Sequence, residues 1–203
     1  MSSNIIEFYF DFASPFAYLA AQKVEDLGER LDYDVIWKPM LLSASFKQTG
    51  GQPLTSVPLK GEYSIHDMQR MARYMKIPFK LPTPFPIMTT AVARIFYWME
   101  ASEHSQEHAS TFAKSALKAY FAENRNIGDH EVLRQLVKEC GVDPDEAIGA
   151  INDDKYKNML RTITEDAVSR GVFGSPFFFV NGEPFWGSDR IWMMKKWIEE
   201  GGW

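Results

Sequence analysis

Cysteine is almost absent from this sequence, since Cys140 is the only one among 203 residues. A single thiol cannot form an internal disulfide, a Cys-x-x-Cys redox pair or a cysteine zinc cluster. The amino terminus, Met1–Asn4, lacks the basic and apolar regions of a signal peptide, and no apolar run is long enough to span a bilayer. We therefore expect a soluble protein of a reducing compartment, the cytoplasm.

An excess of positive charge is also lacking. The chain has 22 Lys and Arg against 27 Asp and Glu, which gives a formal net charge of −5. Without a basic field we expect neither nucleic acid nor an anionic membrane as a partner. The apolar fraction of 45% and the aromatic fraction of 14% are those of a folded globular protein rather than a disordered one. The length allows one large domain, or a small domain that carries an insertion.

The first 38 residues predict a strand, a helix and a second strand. Ile5–Phe12 is almost continuously apolar and β-prone, as in a strand that is covered on both faces. Ser14 suits a helix N-cap and Pro15 the first helical position. Apolar residues then recur at helical spacing as one stripe, at Phe16, Ala20, Val24, Leu27 and Leu31. Tyr33–Lys38 alternates as a strand does, and the order indicates the start of a parallel α/β sheet.

The middle of the chain predicts helices and no strand. Met40–Gly61 is rich in Ser, Gly, Pro and Thr and reads mainly as a loop. Helical patterns follow from Glu62 onward and at Ile87–Glu100, Ser110–Ala122, Asp129–Cys140, Asp143–Ile151 and Lys155–Arg170. A cluster of prolines between residues 78 and 86 separates the first of these helices from the rest.

Strand patterns return near the carboxyl end. Pro176–Val180 is a short apolar run, Asn181-Gly182 is a strong hairpin signal, and Glu183–Trp186 is the returning strand. Ser188 or Asp189 would cap a final helix. The whole order, βαβ then helices then ββα, predicts an α/β thioredoxin-like fold with a large helical insertion. Residues 1–45 and 165–203 would form the thioredoxin-like domain, and residues 46–164 the inserted helical domain.

In thioredoxin-like proteins the first strand delivers the active site to the start of the first helix, where redox members carry Cys-x-x-Cys. This chain has Ser14-Pro15-Phe16-Ala17 there, which excludes disulfide chemistry within the chain. Ser14 has two interpretations. Its hydroxyl could serve only as a helix cap, the commonest role of such a serine, or it could donate a hydrogen bond to the thiolate of a bound cofactor.

Gly174-Ser175-Pro176 precedes the third predicted strand, where a thioredoxin-like fold places a cis-proline facing the first helix. A cis bond would leave the backbone N–H and C=O of Ser175 free to pair with an extended peptide, and glutathione is a tripeptide. The alternative is an ordinary trans-proline that opens a strand.

The segment Phe8–Ala20, FYFDFASPFAYLA, resembles the amino terminus of 2-hydroxychromene-2-carboxylate isomerases and, more loosely, that of kappa-class glutathione transferases. Further matches follow in the same order, at Leu59–Tyr63 through Asp67, Ile77–Pro78 with Pro82, Gly171–Pro176 and Phe185–Arg190. The resemblance therefore covers essentially the whole chain.

This resemblance implies a glutathione site and a homodimer. Ser14 would hold the sulfur and act as the catalytic residue, and Ser175, before Pro176, would pair with the cysteinyl part. The other implied ligands are Ser188, Asp189 and Arg190 for the γ-glutamyl end, with Lys60 and Asp67 from the kappa-class pattern. Each also has a purely structural explanation: Lys60 as a solvated loop charge, Asp67 with Arg70 as a helix surface pair, and Asp189 with Arg190 as first-turn surface residues.

The reaction implied is the interconversion of 2-hydroxychromene-2-carboxylate and trans-o-hydroxybenzylidenepyruvate, with glutathione as a cofactor that is regenerated and a small aromatic compound as substrate. The isomerase pattern carries a lysine and an Asn-Arg pair for the substrate carboxylate. Here Leu42–Ser45 and Leu54-Thr55 stand in their place, and Lys47 is out of register. A kappa-like transferase or peroxidase that acts on another electrophile therefore stays open, as does a non-catalytic thioredoxin-like binding module.

For the cysteine, two of the histidines and three of the methionines, the sequence predicts structural roles. Cys140 would be a small buried apolar group at a helix end, and His104 and His108 would be solvated. Met68, Met71 and Met75 share a helical stripe that favours packing over a cofactor site, although they could also border an apolar substrate cleft.

Overall fold

The centre of the fold is a mixed sheet of β1 (Ile5–Phe10), β2 (Asp34–Pro39), β3 (Phe177–Val180) and β4 (Glu183–Trp186). The structure is a computed structural model that describes residues 4–101 and 105–203, and within these ranges the strand order is β2-β1-β3-β4. β1 runs parallel to β2 and antiparallel to β3, which runs antiparallel to β4. The α/β thioredoxin-like fold class that the sequence predicts is confirmed.

Helices make up most of the rest of the described chain. They are α1 (Pro15–Ala21), α2 (Val24–Leu31), α3 (Leu42–Thr49), α4 (Lys60–Met75), α5 (Thr90–Ala101), α6 (Ser105–Phe121), α7 (His130–Glu139), α8 (Pro144–Ala150), α9 (Asp154–Ser169) and α10 (Ile191–Glu200). Short 3-10 helices cover Leu54–Ser56 and Ser188–Arg190. Helices α3 to α9 lie between β2 and β3, where the sequence predicts the insertion. In the described ranges, no helix has both the length and the apolar character needed to cross a membrane.

Local sequence signals account for the hairpin and for the start of the first helix. Asn181 and Gly182 have φ angles of 48° and 94°, as a two-residue hairpin turn requires. Ser14 is the N-cap of α1, with its side chain accepting from the Ala17 N–H, and Pro15 is the first helical residue. Both predictions are confirmed.

Three predictions of local structure are wrong. The single helix predicted by the stripe from Phe16 to Leu31 is two helices, because the chain turns between Ala21 and Val24. Part of the predicted loop Met40–Gly61 is helix α3, which is fixed to the rest of the molecule by Ser45, a buried residue that donates a hydrogen bond to the Val172 carbonyl at 2.8 Å.

The third wrong prediction concerns the cap of the final helix. The N-cap of α10 is Arg190, which makes no side-chain capping bond, whereas the sequence predicts Ser188 or Asp189 as the cap. The chain forms the 3-10 helix Ser188–Arg190 first, so these residues lie one turn before α10 begins.

One buried apolar cluster joins the sheet to the helical insertion. Phe8, Phe10 and Trp37 pack in the same cluster as Phe96 and Phe112, and all five are at most 1% exposed. The boundaries predicted at residues 45 and 165 therefore cross a continuous core, and the assignment of two separate domains stays a prediction. Burial of this shared core holds the first helix in place against both parts.

Candidate functional site

Ser14 lies between β1 and α1, directly before the first residue of α1, and it is 7% exposed. Its hydroxyl oxygen accepts from the Ala17 N–H at 3.2 Å and donates its proton to the Ser175 carbonyl oxygen at 2.8 Å. The cap and the contact with Ser175 are therefore made by the same hydroxyl. A serine hydroxyl has one proton, so Ser14 could donate to another acceptor only by giving up its hydrogen bond to the Ser175 carbonyl.

Ser175, the residue before Pro176, is the partner of Ser14 in the site. The Ser175–Pro176 peptide bond is cis, as the thioredoxin-like pattern predicts. The Ser175 hydroxyl accepts from the Asp11 N–H at 2.9 Å. Within the part of the chain that the structure describes, the Ser175 N–H donates to no acceptor. A half-buried residue thus offers a free backbone donor beside the Ser14 hydroxyl.

Asp11 is hydrogen-bonded through its backbone to both serines, and sequence reasoning missed it. Its carboxylate accepts hydrogen bonds from the Ala13 N–H at 2.9 Å, the Leu42 N–H at 2.8 Å and the Thr89 hydroxyl at 2.8 Å. Burial raises the pKa of the Asp11 carboxyl above its ordinary value, although these bonds oppose the shift. An acidic residue after a run of apolar strand residues is the signal that could have identified it.

The segment predicted to hold a γ-glutamyl group packs against α1. Ser188 is 8% exposed, while Asp189 is exposed and forms an ion pair with Arg190, its Oδ2 lying 2.5 Å from the Arg190 guanidinium. Gly187 precedes them with φ 110°, and its N–H donates to the Pro176 carbonyl at 3.0 Å. This bond ties the segment to the cis-proline, so these residues and Ser14 belong to one region.

Lys60 and Asp67 lie on α4, which also packs against α1. Lys60 is the first residue of that helix and is exposed. Asp67 is half-buried and pairs with Arg70, which also donates to the Tyr63 hydroxyl at 3.2 Å. In the described ranges, no hydrogen bond or ion pair joins either residue to the serines of the site. The structure places both residues on a helix that neighbours the site.

Two exposed aromatic side chains stand beside the cis-proline. The rings of Phe173 and Trp186 meet edge to face with centroids 4.8 Å apart. They cover Gly174, where an added Cβ would lie 2.1 Å from the Trp186 indole nitrogen. The two rings together form an exposed apolar surface next to the cis-proline strand, and Phe173 is two residues from Ser175 along the chain.

Met68, Cys140 and His108 belong to the helical insertion rather than to the segments that carry Ser14 and Ser175. Met68 is buried and Cys140 is half-buried at the end of α7, where burial raises the pKa of its thiol. His108 is exposed on α6, while His104 lies outside the described residues.

A model of the DSBA-like thioredoxin domain family matches residues 5–199. The chain is similar to the 2-hydroxychromene-2-carboxylate isomerase of Sphingobium xenophagum, with 27% identity over 97% of this chain and 98% of that protein. It is 24% identical to glutathione S-transferase kappa 1 of Caenorhabditis elegans over 96% of this chain and 91% of that one. A solved structure of a 2-hydroxychromene-2-carboxylate isomerase superposes with a TM-score of 0.86 at 24% identity, covering 97% of this chain and 95% of the other.

Proposed function

The chain belongs to the DSBA-like thioredoxin domain family, and from that premise we propose that it is a glutathione-dependent isomerase. Its reaction would interconvert 2-hydroxychromene-2-carboxylate and trans-o-hydroxybenzylidenepyruvate in the breakdown of aromatic compounds. Full-length similarity to an isomerase and to a glutathione transferase supports this proposal. The observation that carries it is the Ser14 hydroxyl beside the Ser175 backbone, at the point where redox relatives use cysteines.

The serines of the site match the central part of glutathione. The free Ser175 N–H suits the cysteinyl carbonyl, and the Ser175 carbonyl oxygen could accept the cysteinyl N–H in exchange for Ser14. The released Ser14 hydroxyl would then donate to the sulfur. Pro176 would pack against the cysteinyl part of glutathione. The number of hydrogen bonds is conserved in the exchange, so it has little net cost in free energy.

The outer residues match the charged ends of the tripeptide, which carries two carboxylates and one ammonium. Asp189 is exposed and acidic, as binding of the ammonium requires, and Ser188 and Arg190 would hold the adjacent carboxylate. Lys60 and Asp67, on the helix packed against α1, would contact the rest of the ligand after a side-chain rearrangement.

Bound glutathione would supply a thiol whose sulfur adds reversibly to a conjugated carbon, so that a C=C bond becomes a single bond that can rotate before the thiol leaves. Ser14 promotes this chemistry by donating a hydrogen bond to the charged form of the sulfur, which lowers the thiol pKa from its free value of about 8.5. Phe173 and Trp186 supply an apolar wall that suits a flat aromatic substrate.

The test compares wild type with Ser14→Ala by calorimetric titration with glutathione, by thiolate absorbance against pH and by turnover of the isomerase substrate. We expect wild type to lower the thiol pKa, and Ser14→Ala to lose that shift and to slow turnover about a hundredfold, as loss of one catalytic donor does. Ser110→Ala is the matched control, because Ser110 is equally buried and donates to a carbonyl in the helical insertion.

Unchanged turnover in Ser14→Ala would exclude the catalytic role of this residue. If wild type shows no affinity for glutathione, the proposal fails as a whole, and a non-catalytic module that binds peptides at Ser175 becomes the better interpretation.

A kappa-like transferase or peroxidase is the second candidate, and the α3 sequence favours it. The residues at Leu42–Ser45 include no cation for a substrate carboxylate, and Lys47 lies exposed in the last turn of α3. Parallel assays with the isomerase substrate, with an aryl halide and with a hydroperoxide would separate the two functions. Conversion of the halide or the peroxide, without isomerisation, would identify the second candidate.

We also propose the homodimer that the resemblance implies. Sedimentation velocity over a range of protein concentrations measures this directly. A single monomeric species at all concentrations would contradict it.

A further inference from the structure

We propose that Asp11 and Thr89 are positioning residues for the Ser14 hydroxyl. Through them, the helical insertion would set the geometry at which Ser14 meets the thiol of bound glutathione. This inference rests on the proposed function. It adds a coupling between the helical insertion and Ser14 that the function alone does not require. Neither residue would touch the cofactor. Both act through the turn that carries Ser14.

The backbone of Asp11 contacts both partners of the central hydrogen bond. Its carbonyl accepts from the Ser14 N–H at 2.9 Å, and its N–H donates to the Ser175 hydroxyl at 2.9 Å. Ser14 and Ser175 are in turn joined at 2.8 Å. A shift of Asp11 by a fraction of an ångström would therefore displace both Ser14 and Ser175, and with them the direction in which the Ser14 hydroxyl points.

The side chain of Asp11 fixes where its backbone lies. Asp11 is 7% exposed, and within the described residues no lysine or arginine pairs with its carboxylate. Its partners are the Ala13 and Leu42 N–H groups and the Thr89 hydroxyl. A buried carboxylate that has no cation depends on every donor it has, because removal of one leaves part of its charge unsolvated. Each of the three bonds thus holds Asp11 in one position.

Thr89 is the contact that comes from the insertion. It is 78 residues from Asp11 in sequence, is 4% exposed, and directly precedes α5. Its carbonyl accepts from the Ala93 N–H at 3.1 Å, which fixes its backbone to the first turn of that helix. The Tyr97 hydroxyl of the same helix donates to the Pro39 carbonyl at 2.6 Å, so α5 is also held at the end of β2. The position of α5 is thereby transmitted to the Ser14 turn.

The test uses Thr89→Val, which keeps the shape of the side chain and removes the hydroxyl, beside Thr89→Ser, which keeps the hydroxyl. The readout is the ratio of the affinities for glutathione and S-methylglutathione, which differ in the free thiol that Ser14 would contact. We expect this ratio to fall about three- to tenfold in Thr89→Val, since one hydrogen bond is misplaced. Thr89→Ser should retain the wild-type ratio. Asp11→Asn should lose more of it, because its amide would present a donor to the Leu42 N–H.

Thr164→Val is the matched control. Thr164 is 5% exposed, and its hydroxyl accepts from the Leu41 N–H at 3.2 Å, one residue from the Asp11 partner Leu42. Its replacement removes a buried hydroxyl of the same type without touching Asp11. We expect it to lower stability and to leave the affinity ratio unchanged, as a merely structural role would.

The inference is overturned if Thr89→Val keeps the wild-type ratio, or if Thr164→Val lowers the ratio equally. Wild-type protein that does not distinguish glutathione from S-methylglutathione gives a different result. It contradicts the proposed role of Ser14 and removes the inference with it, so the two failures are distinguishable.

Discussion

A serine at residue 14, where redox members of the fold carry a cysteine, changes what the site can do to a disulfide more than what it can bind. The hydroxyl occupies the position next to Ser175 that a thiol would have, yet it cannot attack sulfur. The following residues, Pro15-Phe16-Ala17, include no second thiol. A thiol introduced at residue 14 would therefore have no resolving partner in the site.

The variant Ser14→Cys is predicted to form a stable mixed disulfide with oxidised glutathione. The new thiolate would attack one sulfur of the disulfide and release one glutathione thiolate, and the product would accumulate because nothing in the site resolves it. Intact mass measurement detects the added glutathionyl group. Wild type is the control, because burial raises the pKa of the Cys140 thiol and makes it less reactive. Equal modification of both proteins would contradict a glutathione site at residue 14.

Gly174 is predicted to tolerate no side chain. A Cβ there would lie 2.1 Å from the Trp186 indole nitrogen, so Gly174→Ala must displace that ring or the adjacent Ser175. We expect a loss of about 1–3 kcal/mol in the free energy of unfolding, measured by urea denaturation, together with weaker glutathione binding. Gly149→Ala is the control, since nothing lies within 4 Å of its added Cβ in α8, and it should be neutral or stabilising. Equal stability of the two variants would exclude the clash.

At the scale of elements, an ionic network holds β1 to β2 and to the end of α9. The Glu7 carboxylate accepts from the Lys38 ammonium at 2.6 Å and from the Arg170 guanidinium at 2.6 and 2.9 Å. Tyr9, on the same face of β1, accepts from Arg170 at 2.6 Å and donates to Asp166 at 3.3 Å. Hydrogen bonds from Arg170 and Lys38 outweigh burial and lower the pKa of Glu7 to about 2.

This network predicts a loss of stability in acid. Because the Glu7 pKa is depressed on folding, its contribution is complete above the unfolded value of 4.5 and disappears as pH falls toward about 2. That contribution is at most about 3 kcal/mol, because solvent screens part of these ion pairs. Urea unfolding of wild type and Glu7→Gln between these pH values measures it. The variant should show a flatter pH dependence, whereas parallel curves would show that other carboxylates cause the acid loss.

The sequence could predict the elements that have local signals, but not those that depend on contacts between distant residues. Strand β1, the Ser14 cap and the Asn181-Gly182 turn have signals within a few residues, and these predictions are confirmed. Helix α3 is stabilised by the bond from Ser45 to Val172, 127 residues later, which no local pattern contains. Long-range contacts of this kind override local propensity.

The same limit applies to the candidate site. Ser14 and Ser175 could be placed together because the thioredoxin-like pattern and the family resemblance link two distant motifs. Thr89 carries no motif, and its contact with Asp11 depends on how the insertion folds back onto β1. Asp11 could have been singled out as an acid that follows apolar strand residues, but its three donors come from separate parts of the chain.

At the scale of the whole molecule, the helical insertion and the sheet share one interior. The apolar cluster that contains Phe10 and Trp37 of the sheet also contains Phe96 and Trp98 of α5. Polar contacts cross the same boundary, including the Lys114–Glu25 ion pair, the Tyr97–Pro39 bond and the Thr89–Asp11 bond. Unfolding of either part alone would expose the apolar face of the other part to water. The free energy gained by burying that face would then be lost.

We therefore predict that the two parts unfold in a single cooperative transition. Incorporated 5-fluorotryptophan gives separate NMR signals for Trp37, which is 1% exposed in β2, and Trp98, which is 9% exposed in α5. In a urea titration both native signals should disappear with the same midpoint and the same dependence on urea concentration, as two-state unfolding requires. Single replacements of each tryptophan by phenylalanine assign the signals. An earlier midpoint for Trp98 would mean that the insertion is an independent unit, and the transmission from α5 to Ser14 would then be lost before the sheet unfolds.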